Sequence, residues 1–190
     1  MPQGNRTKKA SISSLKIKNF GPRIKYRQYD LPACIFYSLA NACAYIGENV
    51  AATNLFDVFQ DKMIDELYNP KFSEATFVMR NHFHIPPQAK IRFDISLLKP
   101  FDSSTIINNR EHNLIYHIQL NNNHVIATCN EWIFDPEFEY ALPRDETSLR
   151  LSAEATDGMS SDELLKKVYK YTLVKKIINK KNKHQWKKNT

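Results

Sequence analysis

The chain has 190 residues, 42% hydrophobic and 12% aromatic, with 4 Gly, 3 Cys and a formal net charge of +7. This composition suits one globular domain with a real core and excludes a low-complexity or disordered chain. An odd number of Cys with no CxxC pair argues against a disulfide framework and for a reducing, intracellular setting, cytoplasmic or nuclear. No apolar run is long enough for a membrane span, and the N-terminus lacks the apolar stretch of a secretory signal.

The charge is divided unevenly along the chain. Residues 1–27 hold eight Lys/Arg and residues 166–190 hold ten Lys, with no acid in either segment. Residues 28–165 carry all 20 acids and a net charge of −11. Basic ends on an acidic body read as interaction arms for nucleic acid or an acidic partner, or as solubilising tails. The expected organisation is a basic flexible segment over 1–22, a folded domain over 23–178 and a basic tail over 179–190.

In chain order, SLKIKNF (14–20) has the texture of a short strand, and Pro22 and Pro32 bound a loop. A helix is expected from Cys34 to Ile46, its apolar residues spaced by three and four, with Gly47 as the stop. A second is expected over Asn54–Tyr68, capped by Thr53, and a third over Glu74–His82, capped by Ser73. The period then changes. KIRFDISLL (90–98), LIYHIQL (114–120), HVIATC (124–129) and WIFDP (132–136) are rich in β-branched and aromatic residues, and the last three are separated by NNN and NE. They predict an antiparallel meander. Ser160 and Glu163 form a capping-box pattern that predicts a last helix to about Ile178. Helices first and strands second make the class α+β.

Two segments carry candidate chemistry. Cys34 falls where a Pro-containing loop meets a helix, and a helix N-terminus favours thiolate over thiol. Gln28, six residues upstream, is a candidate donor to a developing oxyanion. A free Cys is more often a small buried hydrophobe, so the second segment decides its weight. If Cys129 and Asn130 form the hairpin turn, His124 is directly opposite Asp135, Val125 opposite Phe134, Ile126 opposite Ile133 and Ala127 opposite Trp132. A carboxylate opposite an imidazole can fix its tautomer, as the third member of a nucleophile–base–orienter set does. A turn at Asn121–Asn123 pairs His117 with Ala127 and so turns His117 to the other face. His82, His84, His112 and His184 lie at a helix end, in a loop or in the basic tail. The three Cys have no zinc-ligand spacing, and no metal or cofactor is implied.

Gln28-x5-Cys34 with its apolar helix resembles the oxyanion and nucleophile segment of papain-like cysteine peptidases. The stretch from Pro32-Ala33-Cys34 to Tyr45-Ile46-Gly47 is nearest to the bacteriocin-processing (C39-like) branch. His124-Val125 at one strand start and Asp135-Pro136 at the next strand's end resemble the His and Asp segments of the same branch, in the same chain order. The resemblance implies an N-terminal helical part packed on a C-terminal antiparallel sheet. It implies acyl transfer on a protein or peptide substrate, with Cys34 as nucleophile, His124 as base, Asp135 as orienter and Gln28 as oxyanion donor. The competing expectation is a non-catalytic, nucleic-acid-associated protein that binds through its basic ends.

Overall fold

A computed structural model of the chain describes residues 21–65, 67–83, 91–98, 102–111, 114–154 and 157–175. The expected strand at 14–20, the outer parts of both basic ends (1–20 and 176–190), His84, His112 and His184 lie outside the described residues.

Helix α1 (Cys34–Tyr45) is the centre of one layer. Every residue from Phe36 to Cys43 is buried, as expected of a helix that is apolar all round. Gly47, at φ +87°, ends it in the left-handed conformation that a side chain would disfavour. The amides of Gly47 and Glu48 close back on the Ala44 and Cys43 carbonyls, which completes a Schellman stop. That stop leads straight into α2 (Asn49–Lys62), five residues earlier than the Thr53 cap predicts. Ala51, Ala52, Leu55 and Phe59 form the buried side of α2 against α1. Helix α3 (Phe72–Phe83) begins one residue before its expected cap, Ser73. Its start is tied instead by Glu74, whose carboxylate accepts from the Lys71 amide (3.0 Å) and the Tyr68 hydroxyl (2.9 Å).

The strands are β1 (Ile91–Leu97), β2 (Leu114–Leu120), β3 (Val125–Cys129), β4 (Trp132–Phe134), β5 (Leu142–Pro143) and β6 (Leu165–Lys175). They form one open antiparallel sheet in the order β1-β6-β2-β3-β4-β5. The protein is therefore a mixed α+β fold, with helices α1–α3 against one face. Ile115, Ala127, Cys129, Phe134 and Tyr171 meet that helical layer. Alternate residues such as Tyr116, Ile118, Ile126 and Val168 build a second core with Ile106 of α4 (Ser103–Asn108) and Leu149 of α5 (Glu146–Ser152). The two short helices, absent from the expected set, are capped by the side chains of Asp102 and Asp145.

Two expectations are overturned. The segment after Ser160 is a strand over Leu165–Lys175, not a helix. The Ser160–Glu163 capping box does form, but it closes only a turn. VYKYTLV, rich in β-branched and aromatic residues, then pairs between β1 and β2. The β3–β4 turn is Asn130-Glu131 rather than Cys129-Asn130, because Asn130 takes φ +49°, a conformation Asn tolerates. Ala127 therefore pairs with Phe134, and Cys129 with Trp132. The shift is two residues, so each side chain keeps its face. The first hairpin has its expected register, with His117 opposite Ala127 and Asn123 at φ +63° in the three-residue turn.

Residues 21–28, expected as a loop, run beside residues 136–141. Gly21 bonds the Ala141 carbonyl, Ile24 that of Glu139 and Gln28 that of Pro136. A Cβ on Gly21 would stand 2.4 Å from the Trp132 ring, so only Gly fits there. Among the described residues, no helix is long and apolar enough to cross a membrane.

Candidate active site

Cys34 opens α1 and is half-buried. Ala33 precedes it with no side-chain cap, and the first turn holds no acid, so nothing there offsets the positive end of the helix. The chain reaches this point through a tight turn in which the Leu31 amide bonds the Gln28 carbonyl and Tyr29 sits at φ +47°. A positive φ on an aromatic residue is uncommon and costs about 1–3 kcal/mol. The surrounding structure holds it just before the helix.

His124 stands at the mouth of β3, where the three-residue turn delivers it. Its backbone amide is held by the Asn122 side chain at 3.1 Å. Its ring Nε2 lies 2.7 Å from Oδ1 of Asp135, which is fully buried at the end of β4. The two-residue register shift makes this contact diagonal rather than directly opposed. It forms because diagonal neighbours on one face remain within reach of long side chains. The Glu137 backbone amide donates to the same Asp135 oxygen at 3.0 Å and fixes the carboxylate.

The Cys34 thiol stands close enough to the His124 side chain to help raise its pKa. With Nε2 engaged by Asp135, Nδ1 is the ring nitrogen left to serve it. Burial alone would lower the His124 pKa. The charge and hydrogen bond of Asp135, followed by those of Cys34, reverse this and raise it to about 9. The ring is thus held as imidazolium beside the sulfur at neutral pH.

Gln28 joins the cluster through a residue that the sequence did not single out. Its Nε2 donates to Glu137 Oε1 at 3.0 Å, and that oxygen lies 3.6 Å from His124 Nδ1. Glu137 is two residues beyond Asp135, and that proximity was its only signal. Asn41 was also missed. It is a lone amide in an otherwise apolar helix, two turns beyond Cys34. Its Oδ1 accepts from the Lys25 and Tyr26 amides at 2.9 Å each, and its Nδ2 donates to the Tyr26 and Tyr37 carbonyls at 2.8 and 2.7 Å. It pins the Gln28 segment to the helix that carries Cys34.

The other candidates are elsewhere. His117 faces the helices, fully buried against Phe72 and Tyr171, and burial lowers its pKa to about 3. His82 contacts Asn54 at 3.0 Å between α2 and α3. Cys43 and Cys129 are buried with their pKa values raised, chiefly by desolvation. No family model, curated protein or solved structure matches this chain.

Proposed function

We propose that this protein is a papain-like cysteine peptidase, or a related thiol acyl hydrolase, that cleaves a peptide or isopeptide bond through Cys34, His124 and Asp135. The observation that carries the reading is the ring of His124, anchored at Nε2 by a buried carboxylate and standing beside a thiol at a helix N-terminus. A buried His–Asp pair serves many structures. A half-exposed thiol beside such a pair supports the reading, because nucleophile, base and orienter are then drawn from one cluster.

In this reading the Cys34 proton resides on His124, and the thiolate attacks the carbonyl carbon. The oxyanion accepts from the Gln28 amide and the amides at the start of α1, so Gln28 must exchange Glu137 for the substrate oxygen. His124 then protonates the leaving amine, which gives a thioester on Cys34. A water deprotonated by His124 attacks the thioester and releases the acid. Asp135 keeps the ring oriented throughout.

Replacing Cys34 by Ala should abolish peptide hydrolysis and iodoacetamide labelling at neutral pH while leaving the melting transition intact. The two other thiols are buried and held protonated, so labelling reports on Cys34. Equal labelling of wild type and Cys34→Ala would overturn the proposal.

A further inference from the structure

The segment that carries Gln28 has a second side. Arg23, Lys25 and Arg27 alternate with Ile24, Tyr26 and Gln28. Ile24 and Tyr26 are buried in the core and Gln28 points to the site, whereas Arg23 and Lys25 are exposed and Arg27 is half-buried. With Tyr29 and Phe56 they line a cavity of about 550 Å³. The cations are concentrated there although residues 28–165 carry a net −11.

An arginine that lines the cavity has an unfilled donor. Arg27 Nε is buried and has no acceptor among the described residues. Its guanidinium lies over the Tyr29 ring, with Cζ 4.8 Å from the centroid, which keeps the fork in one plane. Arg23 has Glu139 at 3.4 Å, but Lys25 and Arg27 meet no carboxylate among the described residues. Nε itself is out of a ligand's reach, but the half-exposed guanidinium meets no carboxylate among the described residues, and its terminal nitrogens can give a bidentate carboxylate two parallel charge-assisted bonds.

We propose that this cavity is a subsite for an acidic side chain of the peptide substrate, with the Arg27 guanidinium taking its carboxylate. The proposal rests on the peptidase reading. Arg27 adjoins Gln28 in the chain but faces the other way, so an acidic residue bound there lies away from the scissile bond, on the far side of the segment that carries the oxyanion donor. Glu137, 3.6 Å from the His124 ring, repels acids from the centre itself. The preference is therefore positional and not for acidic substrates at large. Phosphates of single-stranded nucleic acid also suit cations, but such sites stack successive bases on several open rings. Here Tyr29 is 73% exposed whereas Tyr26 is only 8% exposed.

The test uses the full chain with Cys34→Ala, so that bound peptide is not cut. Fluorescence anisotropy follows a labelled alternating Ala/Glu decapeptide, its Ala/Gln counterpart and an oligo-dT of equal length. The Ala/Glu peptide should bind about tenfold tighter than Ala/Gln, and Arg27→Gln should remove about that factor. Arg27→Lys should restore only part, since a point charge lacks the fork. The Lys-rich ends are present in every protein and cancel in the comparison. Affinities of Arg27→Gln and its parent within about twofold, or an equal loss for oligo-dT, would overturn the subsite. If Arg27→Gln does not fold, Tyr29→Gly removes the ring that orients Arg27 and relieves the positive φ; it should weaken Ala/Glu binding selectively. Iodoacetamide labelling of wild-type Cys34 separates the two readings. Labelling without dependence on Arg27 sinks the subsite alone. Peptide binding that depends on Arg27 without labelling sinks the peptidase and keeps an acidic-peptide site.

Discussion

Asp135 sets the charge of His124 against the effect of burial. Without it, only Cys34 would oppose the downward effect of burial on the ring. Asp135→Asn should therefore move the His124 titration, followed by NMR of the ring protons, from near 9 toward or below 6.5. A midpoint that stays near 9 would contradict this. The same shift makes stability depend on pH. A group whose pKa is raised on folding contributes fully below its unfolded value and loses that contribution as pH rises through its folded value. The wild type should thus lose stability to urea between pH 6.5 and about 9, and Asp135→Asn should lose less over that window. Glu137 acts on the neighbouring donor. Its carboxylate occupies the Gln28 amide that the oxyanion needs. Glu137→Ala should raise kcat/KM for peptide hydrolysis. Iodoacetamide labelling, which forms no oxyanion, should change less. A fall in kcat/KM with unchanged labelling would instead make Glu137 a contributor to catalysis.

Asn41 links α1 to the segment before it. Removing its side chain takes a partner from the Lys25 and Tyr26 amides and the Tyr26 carbonyl, while the Tyr37 carbonyl keeps its helical bond. Asn41→Ala should cost about 2–4 kcal/mol of stability, measured by urea unfolding, and should also slow hydrolysis because Gln28 is no longer held near Cys34. A stable Asn41→Ala protein with full activity would show that the strand is positioned by its pairing with residues 136–141 alone. The elements also show where sequence reasoning succeeds. Helix α1 was legible because its apolar spacing, its Pro-containing approach and its Gly47 stop agree. The helical expectation for the segment after Ser160 failed because a local cap outweighed the β-rich residues beyond it, and only β1 and β2 together create the slot that β6 fills. The β3–β4 register was misjudged by two residues because the preference of Asn130 for positive φ was given too little weight. The His124–Asp135 pairing survived because a shift of two preserves the face. Asn41 and Glu137 were not legible, since their partners lie 15 and 109 residues away in sequence.

The sheet separates two cores, and the candidate site lies where the start of α1 meets the ends of β3 and β4, assembled from Gln28 and Cys34, His124, and Asp135 with Glu137. The far side is organised around Arg144, which is 2% exposed. Its Nε and Nη2 donate to the Ile106 carbonyl of α4, and its Nη1 donates to the Asn130 carbonyl in the β3–β4 turn at 2.8 Å. Its guanidinium lies over the Tyr116 ring of β2, with Cζ 5.4 Å from the centroid. Burial first, then the charge of Arg110, lower its pKa to about 10. Arg144→Met keeps most of the packing and removes the donors. It strands the Ile106 carbonyl, while Asn130 retains a bond from Arg110 at 3.2 Å. The expected cost is about 2–3 kcal/mol, a fall of about 5–10 °C in Tm for a chain of this size. Below its transition, however, this variant should keep the His124 midpoint near 9 and the wild-type rate of Cys34 labelling, because the groups Arg144 holds, Ile106, Asn130 and Tyr116, are not residues of the site. Asn41→Ala should alter both stability and the site, and Arg144→Met only stability. If Arg144→Met also lowers the His124 midpoint, the two faces are coupled through the β3–β4 hairpin, and the position of Asp135 depends on the turn that Arg144 holds.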